Sequence, residues 1–228
     1  MLTWLSAEIS FPPPDTALAE PAGANGLLAA GGDLSPDRLL AAYAQGIFPW
    51  YAEGQPILWW SPDPRMVLLP DALKISRSLQ KTLRNQAYSV RLDTAFAQTM
   101  TACATQSRPG QGGTWINQDM LSAYQQLHAM GYAHSVETWM DNTLVGGLYG
   151  MALGGVFYGE SMFHRATDAS KIAFVHLIQH LQQNNYGMMD CQMKTAHLAS
   201  LGARELSRSE FSLTLMKLVN YPLTPGKW

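Results

Sequence analysis

The stretch AHSVETWMDNTLVGGLYGMALGGVFYGESMF (133–163) decides the architecture. It holds three runs of strand-forming residues, 133–139, 143–153 and 156–163, separated by Asp141-Asn142 and Gly154-Gly155. These dipeptides tolerate the positive φ that tight hairpin turns require, so the spacing predicts an antiparallel meander. Within the third run, alternation puts Tyr158, Glu160 and Met162 on one face. A carboxylate in the middle of an otherwise apolar strand marks Glu160 as a candidate functional group. The plainer reading is a structural ion pair with Arg165 or Lys171.

Working outward, a long apolar helix is expected from about Ala169 to Gln183, then a buried strand over Met188–Gln192. On a regular strand Asp190 and Gln192 share a face while Cys191 points into the opposite layer. Ending a buried strand on an acid and an amide costs free energy unless both are hydrogen-bonded, or unless the strand simply reaches solvent there. A last helix is expected over about Glu210 to Leu218. On the other side, Ser76 can cap a helix to about Arg84, YSVRL (88–92) reads as a strand, and a helix follows from Asp93 to about Thr105. A Gly-rich loop, PGQGGTW (109–115), leads into a helix from Gln118 to Met130 that Gly131 ends. Helices, a meander, then helix and strand predict an α+β fold on a mixed sheet.

The first 60 residues differ in texture. Three prolines (12–14), an AGANG run (22–26) and an aromatic segment from Phe48 to Trp60 surround one clear helix. Ser35 is its cap, Pro36 its first residue and Gly46 its stop, with Leu39, Leu40 and Tyr43 as the apolar stripe. SPDPR (61–65) reads as a join, giving a small N-terminal domain over 1–62 and a larger one over 63–228.

At 228 residues, 47% apolar and 14% charged, the chain can bury a substantial core. It contains no apolar run of membrane-spanning length, and its start lacks the basic region and apolar core of a secretory signal, so a cytoplasmic protein is expected. Two cysteines form no disulfide framework, and no HExxH or paired-cysteine pattern is present, so no metal centre is expected. The net charge of −2 argues against nonspecific coating of nucleic acid, yet six of the fifteen Lys and Arg residues fall between 65 and 91. Arg77, Lys81 and Arg84 lie on one helical face with no acid from 72 to 92. Such a face is either merely solvated or a phosphate-binding surface. Trp50 and Trp115, on loops beside Pro49 and the Gly-rich run, are either core anchors or platforms on which a base can stack.

Taken in order, LLAAGGDLSPDRLLAAYAQGIFPW (27–50), ILWWSPDPR (57–65), GGTWI (112–116), AHSVE (133–137), LVGGLYG (144–150), GESMF (159–163), DASK (168–171), and DCQ with HLASLGA (190–203) resemble the bacterial leucyl/phenylalanyl-tRNA–protein transferase family. The resemblance implies a small N-terminal domain on an acetyltransferase-like (GNAT) domain. It implies transfer of Leu or Phe, less readily Met, from aminoacyl-tRNA to proteins beginning with Arg or Lys, marking them for degradation, with no cofactor and no CoA. In similar enzymes the 3′-terminal adenosine lies between two tryptophans, here Trp50 and Trp115. Asp190 and Gln192 correspond to the proposed catalytic pair, and Glu160 belongs to the same site. The apolar pocket for the donated side chain would include Leu148, Phe157, Leu177, Leu181 and Met189. Thr195 stands where some relatives carry asparagine, and Leu177 and Leu181 where many carry aromatics. Gln192, oriented by Asp190, is expected to hydrogen-bond the attacking amine, with Glu160 drawing in the basic acceptor. Arg77, Lys81 and Arg84 would contact the tRNA backbone.

Two rival readings remain at this level. An acyl-CoA-dependent acetyltransferase would need a Gly-rich pyrophosphate loop opening a helix, whereas HRATDAS (164–170) contains no glycine. A noncatalytic tRNA-binding module would leave Glu160, Asp190 and Gln192 without a task.

Overall fold

A computed structural model describes residues 2–19, 24–85, 87–106, 115–223 and 225–228. The predicted meander forms as three long antiparallel strands, β7 (Ala133–Met140), β8 (Thr143–Leu153) and β9 (Val156–His164). Asp141 and Asn142 both take positive φ, 47° and 59°, matching the right-handed twist of the flanking strands. β6 (Ser89–Leu92) extends the meander on one side.

On the other side, α5 (Ala169–Gln183) crosses over and delivers β10 (Met188–Asp190) parallel to β9. Beyond β10 lie β5 (Arg65–Leu68), antiparallel to it, and then β11 (Arg204–Leu206). The result is a seven-stranded mixed sheet in the order β11-β5-β10-β9-β8-β7-β6. A four-stranded sheet, β1-β2-β4-β3, is built from β1 (Thr3–Leu5), β2 (Leu27–Gly31), β3 (Phe48–Pro49) and β4 (Leu58–Trp60).

The large sheet separates two apolar layers. One holds α3 (Phe96–Thr105), α4 (Gln118–Ala129), α1 (Pro36–Tyr43) and the small sheet. The other holds α5 and the buried Leu79 of α2 (Arg77–Asn85). Gly46, with φ 72°, ends α1 where a Cβ would strike the Phe211 ring at 2.5 Å.

Three local expectations change. α3 begins at Phe96 rather than Asp93, because Asp93 sits at φ 55° and spends its carboxylate on His134 and the Ser135 amide. The last helix, α7 (Arg208–Leu218), starts two residues early, since Ser207 forms a capping box with Glu210. The strand expected to reach Gln192 stops at Asp190. The Gly-rich residues 109–114 lie outside the described residues, and Trp115 within them. Among the described residues no helix is long and apolar enough to cross a membrane.

Candidate active site

β9 carries a bulge where the site is built. Tyr149 of β8 pairs with Ser161 and the next residue, Gly150, pairs with Gly159, so Glu160 is the extra residue. A bulge inverts the alternation that follows it. Tyr158 and Glu160 share a face, as predicted, and it meets the layer of α1 and α4, but Met162 is switched to the opposite layer and Phe163 takes its place.

Glu160 is 7% exposed and does not pair with Arg165 or Lys171. Arg165 packs over the Phe163 ring and Lys171 binds Asp168. Instead the Tyr43 hydroxyl donates to Glu160 Oε1 at 2.6 Å and is itself hydrogen-bonded to the Tyr124 hydroxyl. The Tyr158 hydroxyl donates to the Tyr43 carbonyl at 2.8 Å, fixing the end of α1 against β9.

Burial pushes the Glu160 carboxyl up to about 7, against the stabilising hydrogen bond from Tyr43. The charge on Asp190 raises it further, while the nearby Gln192 amide and Tyr124 favour the anion. Those two groups do not close a hydrogen bond onto Oε2, which is buried without a partner. Burial, and then the Glu160 charge, hold both Tyr43 and Tyr124 well above the ordinary tyrosine range, so each stays a proton donor.

β9 and β10 pair only through Tyr158↔Asp190 and then part. Past Asp190 the chain stays with β5, where the Cys191 amide donates to the Met66 carbonyl and the Met66 amide to the Gln192 carbonyl. Gln192 adopts φ 61°, so Asp190 and Gln192 are not neighbours on one regular face. The gap between the strands is a cavity of about 390 Å³. Glu160, Gln192, Cys191 and Thr195 supply its polar part, and Leu148, Met162, Met189 and Leu198 its apolar part.

Cys191 therefore lines the same cavity as Gln192, contrary to the expectation that it points away. Burial raises its thiol far above the ordinary range, so it is a poor nucleophile. Of the five predicted apolar pocket residues, Leu148 and Met189 reach the cavity. Phe157, Leu177 and Leu181 are completely buried in the core layer beneath and do not line it.

Asp190 does not line the cavity. Arg65 grips it through two bonds, Nε to Oδ1 at 2.8 Å and Nη2 to Oδ2 at 2.6 Å. Oδ1 further accepts the Gln192 backbone amide at 2.9 Å. Arg65 is 1% exposed and stacked between the Phe48 and Phe211 rings.

Tyr43, Tyr124 and Arg65 are the main residues that sequence reasoning missed. Tyr43 was visible only as part of an apolar stripe, and no local spacing links residues 117 and 125 positions from their partners. Trp50 and Trp115 are both half-buried on the layer that contains Tyr43 and Tyr124. Trp50 packs edge-on to Trp60, whose Nε1 donates to the Trp50 carbonyl at 2.7 Å. Arg77, Lys81 and Arg84 are exposed on α2, with no acid paired to them among the described residues. His176 and His180, one turn apart on α5, part company: one meets Tyr88 and the other lies tilted against Trp228. Among the described residues no three candidate ligands come together for a metal.

A half-apolar cavity with a buried carboxyl near neutrality, beside a thiol held from ionising, has the make-up of an enzyme site suited to general acid–base chemistry. Comparison with known proteins narrows the class. Residues 67–216 match the model described as leucyl/phenylalanyl-tRNA protein transferase, and residues 32–63 match the model of that protein's N-terminal domain. A leucyl/phenylalanyl-tRNA–protein transferase of Nitrosospira multiformis is 62% identical over 100% of this chain and 97% of its own length. That of Chromobacterium violaceum is 58% identical over 100% and 96%. The crystal structure of FemX has the same fold over 75% of this chain and 66% of its own, with a TM-score of 0.52 and 11% identity. The chain belongs to the leucyl/phenylalanyl-tRNA–protein transferase family.

Proposed function

We propose that the protein transfers Leu or Phe, and less readily Met, from aminoacyl-tRNA to the N-terminal Arg or Lys of acceptor proteins, marking them for degradation. In this reading it acts in the cytoplasm, as a small domain over 1–62 joined to a catalytic domain over 63–228, with neither CoA nor a cofactor. The observation that carries it is Glu160, a buried carboxyl with one oxygen unpartnered, lining a half-apolar cavity in a chain of this family.

The donor is an ester and is already activated. The acceptor α-amine has an ordinary pKa of about 7.7–8.0, so a useful fraction is neutral near pH 7. The amine attacks the ester carbonyl carbon, the carbon–oxygen bond to the ribose breaks, and the ribose oxygen leaves with a proton. Glu160, whose carboxyl titrates at about 7, suits the role of proton acceptor. Gln192 positions the amine through its carboxamide. Asp190 does not touch the reactants here: locked to Arg65, it holds the Gln192 backbone in its left-handed conformation. Leu148 and Met189, with Met162 and Leu198, receive the donated side chain. Trp50 and Trp115 stack the terminal adenosine, and the α2 face follows the tRNA backbone.

Incubating the protein with Phe-tRNA and a peptide beginning with Arg tests this. The expected product is the peptide extended by one phenylalanine, with no extension of a peptide beginning with Gly. Failure to extend the Arg peptide would overturn the reading.

A further inference from the structure

A second cavity, of about 710 Å³, opens where β9 ends and α5 begins. Arg165, Lys171, His164 and His197 line it, and Asp168 is its one acid among the described residues. Both Asp168 oxygens are occupied, Oδ1 by Lys171 Nζ at 2.7 Å and Oδ2 by the Thr82 hydroxyl at 3.2 Å. Arg165 has no carboxylate partner among the described residues, only a long contact to the Leu144 carbonyl and a place over the Phe163 ring. Ser170 is 7% exposed and lines the cavity. Such a pocket in a protein of net charge −2 is built for an anion.

Its position says which anion. The cavity shares Met162 and His197 with the cavity of Glu160, so the two are contiguous. The Thr82–Asp168 bond joins it to α2, the helix that presents Arg77, Lys81 and Arg84. Gln106, which accepts the His164 amide at 3.2 Å, borders it at the foot of the segment leading to Trp115. Arg165, its charge not offset by a carboxylate, thus stands between the α2 cations and the catalytic cavity. An acceptor beginning with Arg or Lys is repelled there, whereas a nucleic-acid strand is drawn in.

We propose that this cavity holds a backbone phosphate of the unpaired 3′ end of the donor tRNA, a reading that rests on the transferase function above. Arg165 is the main contact, with Lys171 and the Ser170 hydroxyl beside it. The site fixes where the strand turns from the α2 face towards the donor cavity.

Two donors test the assignment: Phe-tRNA, and phenylalanyl-adenosine, which has the ester and the base but no phosphate. Arg165→Gln should raise KM for Phe-tRNA about tenfold and lower the log–log salt slope of binding by about 0.7, the single-strand value for one contact. The same variant should leave kcat/KM for phenylalanyl-adenosine within twofold, and Arg165→Lys should restore most of the tRNA affinity. Equal losses with both donors would make Arg165 a scaffold residue and overturn the proposal, as would unchanged kinetics with Phe-tRNA. CoA binding that depends on Arg165 while tRNA binding does not would overturn it in favour of another phosphate ligand. Should the wild type transfer nothing from either donor, the underlying function fails, which is a separate outcome.

Discussion

Burial of Glu160 has consequences for rate and for stability that run in opposite directions with pH. Its folded pKa of about 7 lies above the unfolded value of about 4.5, so between these pH values the folded state holds a proton that the unfolded state has lost. Stability from this group is therefore full below about pH 4.5 and falls as pH rises through 7, by roughly 3 kcal/mol. Activity should move the other way, rising with pH as the carboxylate becomes able to accept a proton. Glu160→Gln removes both effects. It should cost about 10²-fold or more in kcat, the ordinary worth of a general base, while KM for Phe-tRNA changes little. Denaturant titrations at pH 5 and pH 8 should show the variant gaining stability relative to the wild type at the higher pH. Equal stability differences at both pH values, or retained kcat, would remove Glu160 from this role.

Elements were more legible than the deviations that make the site. The meander, α1 and α5 follow from period-2 runs, turn dipeptides and a capped apolar stripe, all encoded within a dozen neighbouring residues. The bulge at Glu160 breaks the period of two; Gly159 beside it is a residue type that bulges favour, but a glycine alone does not fix an extra position, and Met162 therefore landed on the wrong face. Gln192 escaped for a similar reason, because a lone residue at positive φ is held there by its near neighbour Asp190, which is itself fixed by Arg65 and β5, both remote in sequence. The basic helix, by contrast, was read from local spacing alone, and α2 forms with its cations exposed. Neutralising it as Arg77→Gln, Lys81→Gln and Arg84→Gln should lower the log–log salt slope for tRNA binding by about 2–3, since each lost phosphate contact removes about 0.7–0.9. Transfer from phenylalanyl-adenosine should survive the triple change. A slope identical to that of the wild type would reduce the α2 face to a solvated surface.

At the scale of the whole molecule, Arg65 ties together parts that sequence reasoning assigned to separate domains. Its guanidinium lies 4.7 Å from the Phe48 ring of the small sheet and 4.8 Å from the Phe211 ring of α7, while two of its nitrogens hold Asp190 on β10. Asp190 in turn fixes Gln192, so the placement of a cavity-lining amide depends on packing between the small sheet and the large one. A buried ion pair is weak evidence of net stabilisation, because desolvating two charges offsets much of their attraction. Breaking one half is a different matter, since it strands the other charge. Arg65→Met should destabilise the protein by about 3–5 kcal/mol, and Asp190→Asn by less, because a neutral amide can remain hydrogen-bonded. Combining the two should cost less than the sum of the singles, because the uncompensated carboxylate is gone, yet kcat should stay low since Gln192 has lost its anchor. Denaturant unfolding of the four proteins, with kcat measured on each, separates these contributions. If Arg65→Met unfolds like the wild type, or the double change restores kcat, the pair neither joins the two sheets nor positions Gln192.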